Sequence, residues 1–363
     1  MKAPVATMTA LRSCLEPLLE AAVGSRAIPG VAVAVGGNVL DEPLLITHGV
    51  DNLDGHGLPI SPKTMFDLAS LTKVMVTLPA VLELAVQGAL RLDDPVSLYL
   101  PEFDSGRRDI TVRHLLAHTS GLRSSERYYL KGDSADQVQA AVLREIPQIA
   151  PGCKTIYSDI GYMLLGFLIE RVTTTSLETV AQELVLKPMG LTSATFKPRR
   201  TTDVQFAATE ILEGEAVIGI VHDRNARALN GVAGHAGLFG TVNDVARYAM
   251  TWANQSESWP RADLHAETLR RQTPAPGPAR GLGWVLNDGA PTFMTPTWPK
   301  WAAGHTGFTG TSIAFDPKSG LWAVVLTNAL HAGRDKKAIS RLRNDVHTMV
   351  GSHLGAAYEL DQP

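Results

Sequence analysis

Cysteine is scarce in this 363-residue chain: Cys14 and Cys153 are the only two, too few for a disulfide framework and not spaced as metal ligands. No stretch of about 18 apolar residues runs without a charge, so no membrane-spanning helix is expected. The N-terminal MKAPVATMTALRSCLEPLLE starts cationic, but Arg12, Glu16 and Glu20 interrupt its apolar residues. It reads as an amphipathic helix rather than a leader, and a cytoplasmic location is expected. Runs of Lys and Arg are missing too. With a formal net charge of −3, this disfavours nucleic acid and anionic membranes as partners. The expected partner is a small molecule, and neither a metal nor another cofactor is expected.

Apolar residues make up 45% of the chain and charged ones 19%, which is the composition of a compact fold. The length allows one large domain or two interlocked ones, since single cores stop growing beyond about 250–300 residues. GVAVAVGGNVL and PLLITHGV are β-branched-rich runs separated by Gly, Asn and Asp, the pattern of a hairpin. GTSIAFDPKSGLWAVVLTNAL predicts a second hairpin turning at residues 316–320, and ARGLGWVL adds a strand. TPAPGPARG at 273–281 reads as a loop leading into that sheet. Between the two ends, runs such as TKVMVTLPAVLELAVQGAL and DIGYMLLGFLIERVT have apolar spacing near 3.6. Strands at both ends around a helical middle predict an α/β (α+β) fold, with one antiparallel sheet flanked by helices. The expected division is an α/β domain from 1–75 and 230–363, a mostly helical domain from 76–229, and a cleft between them.

Three short elements carry candidate chemistry. In FDLASLTKVMVTLPAV, Ser70 and Lys73 stand at i and i+3, on one face of a helix at its start. The helix dipole there favours a developing alkoxide and an unprotonated amine. A lysine acts as a base only when neutral, which burial and nearby positive charge favour. This is the only SxxK in the chain, yet such a pair arises by chance in a chain of this length, so its company decides. IYSDIGYMLLG places Tyr157, Ser158 and Asp159 at a second helix start, where Ser or Asp could serve as the cap. AGHTGFTGTSIAF places His305, Thr306 and Gly307 at a Gly-flanked turn opening the last hairpin, where backbone N–H groups can face an oxyanion.

Taken in order, SxxK, YxD and HTG resemble the signature elements of the serine β-lactamase and penicillin-binding protein superfamily. The similarity is to the branch of class C β-lactamases, D-alanyl-D-alanine carboxypeptidases and family VIII esterases. GALRLDDPVSLYLPEF, ITVRHLLAHTSGL and GVAGHAGLFGTVNDVARYA resemble it as well, and the likeness runs from about Ile28 to Leu330. The resemblance implies a β-lactamase/transpeptidase-like fold. It implies Ser70 as the acylated nucleophile, Lys73 as its proton acceptor or electrostatic support, and Tyr157 as general base. His305 and Thr306 would line the substrate strand, and the N–H groups of Ser70 and Phe308 would form the oxyanion hole.

The chain departs from that pattern in three places. Asp159 stands where the family has Asn; pointed at Lys73 it would stabilise the ammonium and make Tyr157 the base, whereas turned away as a cap it would change nothing. His305 replaces the lysine of class C β-lactamases, removing a fixed positive charge and favouring an uncharged ester or a peptide-like substrate. Pro79 should kink or break the helix after Ser70. No GxSxG elbow is present, which argues against the α/β-hydrolase route. His114, His118 and His235 read as structural, the His222-Asp223 loop as ordinary hydrogen-bonded structure, and Trp252, Trp284, Trp298 and Trp301 as packing residues. The expected activity is carboxylic ester hydrolysis. The alternatives are a D-residue peptidase or amidase, a weak β-lactamase or acyltransferase, and a non-catalytic ligand-binding or sensor domain.

Overall fold

The computed structural model describes residues 5–355, apart from 39, 41, 104–108, 133, 256–260, 276, 278, 289–290 and 334. Strand β1 (Gly30–Gly36) pairs antiparallel with β2 (Leu44–Gly49), as the alternation predicts. A second, three-stranded sheet has the order β3-β7-β4, from β3 (Phe66–Asp67), β4 (Thr195–Phe196) and β7 (Leu238–Gly240). The small hairpin of β5 (Ile211–Leu212) and β6 (Glu215–Ala216) precedes β7. The remaining strands are β8 (Val285–Leu286), β9 (Ala303–Thr306), β10 (Ser312–Phe315) and β11 (Trp322–Thr327). They complete an antiparallel six-stranded sheet of order β2-β1-β11-β10-β9-β8, joining the two ends of the chain. At the predicted turn, the Asp316 carboxylate accepts from the N–H groups of Lys318 and Ser319, and Gly320 takes the left-handed conformation.

Helix α1 (Val5–Gly24) opens the chain. Between β3 and β7 lie α2 (Leu78–Val86), α3 (Val112–Leu116), α4 (Ala135–Leu143), α5 (Asp159–Thr173), α6 (Leu177–Val180) and α7 (Arg224–Ala228). The chain continues with α8 (Val242–Ala253), α9 (Ala262–Leu269) and α10 (Lys336–Val350). None of the described helices is long and apolar enough to cross a membrane.

The period of two along β1 sends Val31, Val33 and Val35 to one face and Ala32 and Ala34 to the other. The first face meets Leu11, Leu15 and Leu19 of α1 and Leu342 and Val346 of α10. The second is covered by α8 and runs on into the core of the helical region. There Trp284 stacks edge-on against Trp252 at 5.2 Å and Phe315 at 4.9 Å. Trp252, Trp284 and Trp298 are buried packing residues; Trp301 is exposed beneath the Lys318 ammonium.

Pro79 does not end the helix that follows Ser70. The helix continues to Val86 because the turn over Lys73–Thr77 widens, with the Leu78 N–H bonding the Lys73 carbonyl five residues back. In that wide register the next carbonyl, that of Val74, faces a proline with no N–H to give. The Tyr248 hydroxyl of α8 donates to it instead. Tyr248→Phe should leave that buried carbonyl unsatisfied and cost about 1–3 kcal/mol. The expected result is a lower urea midpoint with an unchanged slope of the unfolding transition.

Candidate active site

The chain leaves β3 and turns sharply before entering the helix at Leu71. Ala69, immediately before Ser70, has φ 47°, a left-handed conformation that costs a non-glycine residue about 1–2 kcal/mol. Two bonds hold it. The Ala69 N–H donates to Asp67 Oδ1 at 2.8 Å, and the Thr72 hydroxyl donates to the Ala69 carbonyl at 2.7 Å. The other oxygen of Asp67 accepts from the His222 N–H at 2.7 Å, fastening the 222–223 loop to the same turn. Ser70 is thereby presented half-buried at the helix start.

Lys73 is fully buried. Its Nζ donates to Ser70 Oγ at 3.0 Å and to the His235 carbonyl at 2.9 Å, and it lies 2.7 Å from Asp159 Oδ1. Two of the ammonium's N–H groups thus go to Ser70 and to the His235 carbonyl, and Asp159 balances its charge as an ion pair. Burial alone would lower the Lys73 pKa, but the Asp159 charge, with further contributions from Tyr157, outweighs it and holds the amine above its ordinary value. The lysine is therefore a cation at neutral pH, with no lone pair facing Ser70.

At the start of α5, Ser158 is the residue that caps: its Oγ accepts from the Gly161 N–H at 3.2 Å. Asp159, the first helical residue, is left to turn toward Lys73. Tyr157 precedes them, half-buried, with its ring 4.5 Å from His118 and 6.0 Å from His305. The Lys73 ammonium lies 5.1 Å from the ring centroid and the Arg280 guanidinium 5.2 Å. His118 Nδ1 accepts from the Ser158 N–H at 3.0 Å, so this histidine fixes the segment that carries Tyr157. Burial first, then the charges of Arg280 and Lys73, hold His118 and His305 well below the usual imidazole range. Both are neutral at pH 7.

Beyond β9, the turn at 307–311 is tied to β3 and its extension. The Thr309 hydroxyl donates to the Asp67 carbonyl at 2.8 Å and the Thr311 hydroxyl to the Leu68 carbonyl at 3.3 Å. A Cβ at Gly307 would stand 2.0 Å from Thr311 Oγ1 and 2.8 Å from the Leu68 oxygen, so only glycine allows this approach. The exposed ring of Phe308 stacks on His222 at 5.3 Å. His305 is buried behind Tyr157, and Thr306 is half-buried.

The structure thus brings Ser70, Lys73, Tyr157 and Asp159 together, with the His305-Thr306-Gly307-Phe308 turn bound to the strand before Ser70. Four contributors were not singled out as site residues from sequence. Asp67 pins the turn, the His235 carbonyl accepts from Lys73, His118 steadies Tyr157, and Arg280 comes from a Pro/Gly-rich segment that signals only a loop.

On this scaffold the surroundings of Ser70 define a serine hydrolase of the β-lactamase/transpeptidase fold. The chain belongs to the Beta-lactamase family, whose model matches residues 13–348. A putative D-alanyl-D-alanine carboxypeptidase of Escherichia coli K12 is 34% identical over 305 residues, covering 74% of this chain and 70% of its own. A relative from Salmonella agona with the same description is 32% identical over 315 residues, covering 76% and 72%. Among solved structures, EstCE1, described as a hydrolase with promiscuous acyltransferase activity, superposes with a TM-score of 0.77 at 24% identity, covering 94% of this chain and 99% of its own. A class C β-lactamase superposes with a TM-score of 0.76 at 21% identity, covering 98% and 99%. At these identities the two structures establish the fold alone.

Burial raises the Asp67 pKa to about 6, against the two N–H bonds that lower it. Its folded value therefore exceeds its unfolded one, and the folded state binds the extra proton between about pH 4 and 6. Asp67 then contributes stability at low pH that is lost as pH rises through 6. Catalysis should run the other way, because the protonated acid accepts more weakly from Ala69 and His222 and holds the turn before Ser70 less firmly. We expect kcat/KM to fall below about pH 6, and Asp67→Asn to abolish that acidic limb while lowering the plateau. A pH–rate profile of the two proteins checks this.

Proposed function

We propose that the protein hydrolyses carboxylic esters of small molecules through an acyl-enzyme on Ser70. The ion pair of Lys73 with Asp159 carries this reading. Held as an ammonium beside Asp159, Lys73 does not take the serine proton. It orients Ser70 Oγ and offsets developing negative charge, and Tyr157 serves as the proton carrier. Ser70 Oγ attacks the carbonyl carbon while Tyr157, reacting as its phenolate, takes the serine proton and then passes it to the departing alkoxide as the C–O bond breaks, which restores the phenolate. Water then attacks the acyl carbon, and its proton returns through Tyr157 to Ser70 as the acyl–oxygen bond breaks, releasing the acid. The N–H groups of Ser70 and Phe308 hold the oxyanion, and His305, Thr306 and Gly307 line the bound substrate.

A single proton carrier favours esters over amides, because an amine must be protonated before the C–N bond breaks, whereas an alkoxide is the better leaving group. The neutral His305 offers no fixed charge to the carboxylate of a β-lactam. A D-residue peptidase is the second reading, favoured by the description of the curated relatives as putative D-alanyl-D-alanine carboxypeptidases.

A fluorophosphonate should add covalently to Ser70, read by mass spectrometry, and Ser70→Ala should lose both adduct and turnover with its circular dichroism unchanged. Tyr157→Phe should lower p-nitrophenyl ester turnover about 10²–10⁴-fold. Ester turnover should exceed that of D-amino-acid anilides and of nitrocefin; the reverse order would replace the ester with the second reading or with a β-lactam. Absence of any adduct would favour a non-catalytic binding domain.

A further inference from the structure

The charges of the cleft do not cancel. Lys73 is balanced by Asp159 at 2.7 Å, and His235 is paired with Asp223 at 2.9 Å. His118 and His305 are neutral. Arg280 remains. Among the described residues no carboxylate pairs with its guanidinium, and its Nη1 is shut away from solvent without a hydrogen-bond partner. Arginine stays protonated at any physiological pH, so this is a fixed, half-buried, unbalanced positive charge.

Its position is also fixed. The Arg280 N–H donates to Thr273 Oγ1 at 3.1 Å, and the residue bridges to Val285 just ahead of β8. The guanidinium lies against the Tyr157 ring, 5.2 Å from its centroid. A cation on a ring face is held by the ring quadrupole, while its N–H donors point outward in the guanidinium plane. That planar fork matches both oxygens of a carboxylate. A cationic side chain left unpaired while partly desolvated is costly, and an incoming anion removes the cost.

We propose that Arg280 is a substrate-binding residue whose guanidinium, stacked on the Tyr157 ring and lacking an acidic partner, pairs with a carboxylate of the substrate. The substrate is then an ester that carries a free carboxylate, on its acyl or its alcohol side, rather than an uncharged one. This rests on the hydrolase reading and refines it. The positive charge absent from position 305 enters the cleft from a different segment, ahead of the edge strand.

The test compares esters matched in size. Mono-p-nitrophenyl glutarate places a carboxylate on the acyl side and p-nitrophenyl pentanoate does not; butyryl glycolate places it on the leaving side and ethyl butyrate does not. For at least one pair, the wild-type kcat/KM for the anionic ester should exceed that for the neutral one. In Arg280→Gln that ratio should fall at least tenfold, with partial recovery in Arg280→Lys. The pair that responds identifies the side bearing the carboxylate. A wild-type preference for the neutral ester in both pairs would overturn the proposal. So would a ratio unchanged in Arg280→Gln while both rates drop, which would assign Arg280 to steadying Tyr157. If no ester is turned over, the ester reading fails by itself. The carboxylate contact is then read by the thermal shift that mono-p-nitrophenyl glutarate or butyryl glycolate gives to Ser70→Ala. Loss of that shift in Ser70→Ala/Arg280→Gln supports the contact, and its persistence, or no shift in Ser70→Ala, rejects it.

Discussion

An ammonium without water around it must be neutralised by the protein, and in this molecule that requirement falls on Lys73. Its three polar partners come from three separated parts of the chain: the turn before α2, the start of α5, and the glycine-rich segment before β7. Removing one partner of a buried ion pair typically costs about 3–5 kcal/mol, so the contact that arranges the chemistry also holds these segments together. Their closeness depends on Gly234, where a Cβ would stand 2.1 Å from the Tyr162 carbonyl oxygen. Next to it, the Thr77 hydroxyl donates to the Gly234 carbonyl at 2.6 Å, laying this segment along the helix that carries Lys73.

The chemistry follows from how these charges are spent. A lysine fixed as a cation can orient and stabilise but not abstract, so in the proposed reaction proton traffic passes to Tyr157 beside it. Around that side chain the protein places two neutral imidazoles and two cations, one compensated by Asp159 and the other, Arg280, without an acid among the described residues. The polar character of the cleft thus comes more from what is left unpaired than from the number of charged groups.

Much of the architecture was legible because its signals are local. Alternating β-branched residues marked both hairpins, since a period of two must point one face at a core, and the Asp-Pro-Lys-Ser-Gly turn marked where the second one reverses. Ser70, Lys73 and Tyr157 were visible as candidates because small motifs stood in a recognisable order. What stayed hidden depends on tertiary choices. Ser158 and Asp159 are both good caps, and only the position of Lys73 decides that serine caps and aspartate faces inward. Pro79 signals a break in an isolated helix, but the Tyr248 hydroxyl, far away in sequence, serves the orphaned carbonyl and lets the helix continue. Arg280 sits in a segment whose composition says only loop. His235 contributes a backbone oxygen, which no side-chain motif can encode.

The two threonine hydroxyls that bind the 307–311 turn to the carbonyls of Asp67 and Leu68 have a mechanical consequence. Ser70 and the backbone opposite it are stapled to one another across two sheets, so they travel as a unit. Opening of the cleft to admit a larger substrate must then come from the walls contributed by the helical region. The rim can be remodelled, in motion or over evolutionary time, without disturbing the spacing on which bond-making depends.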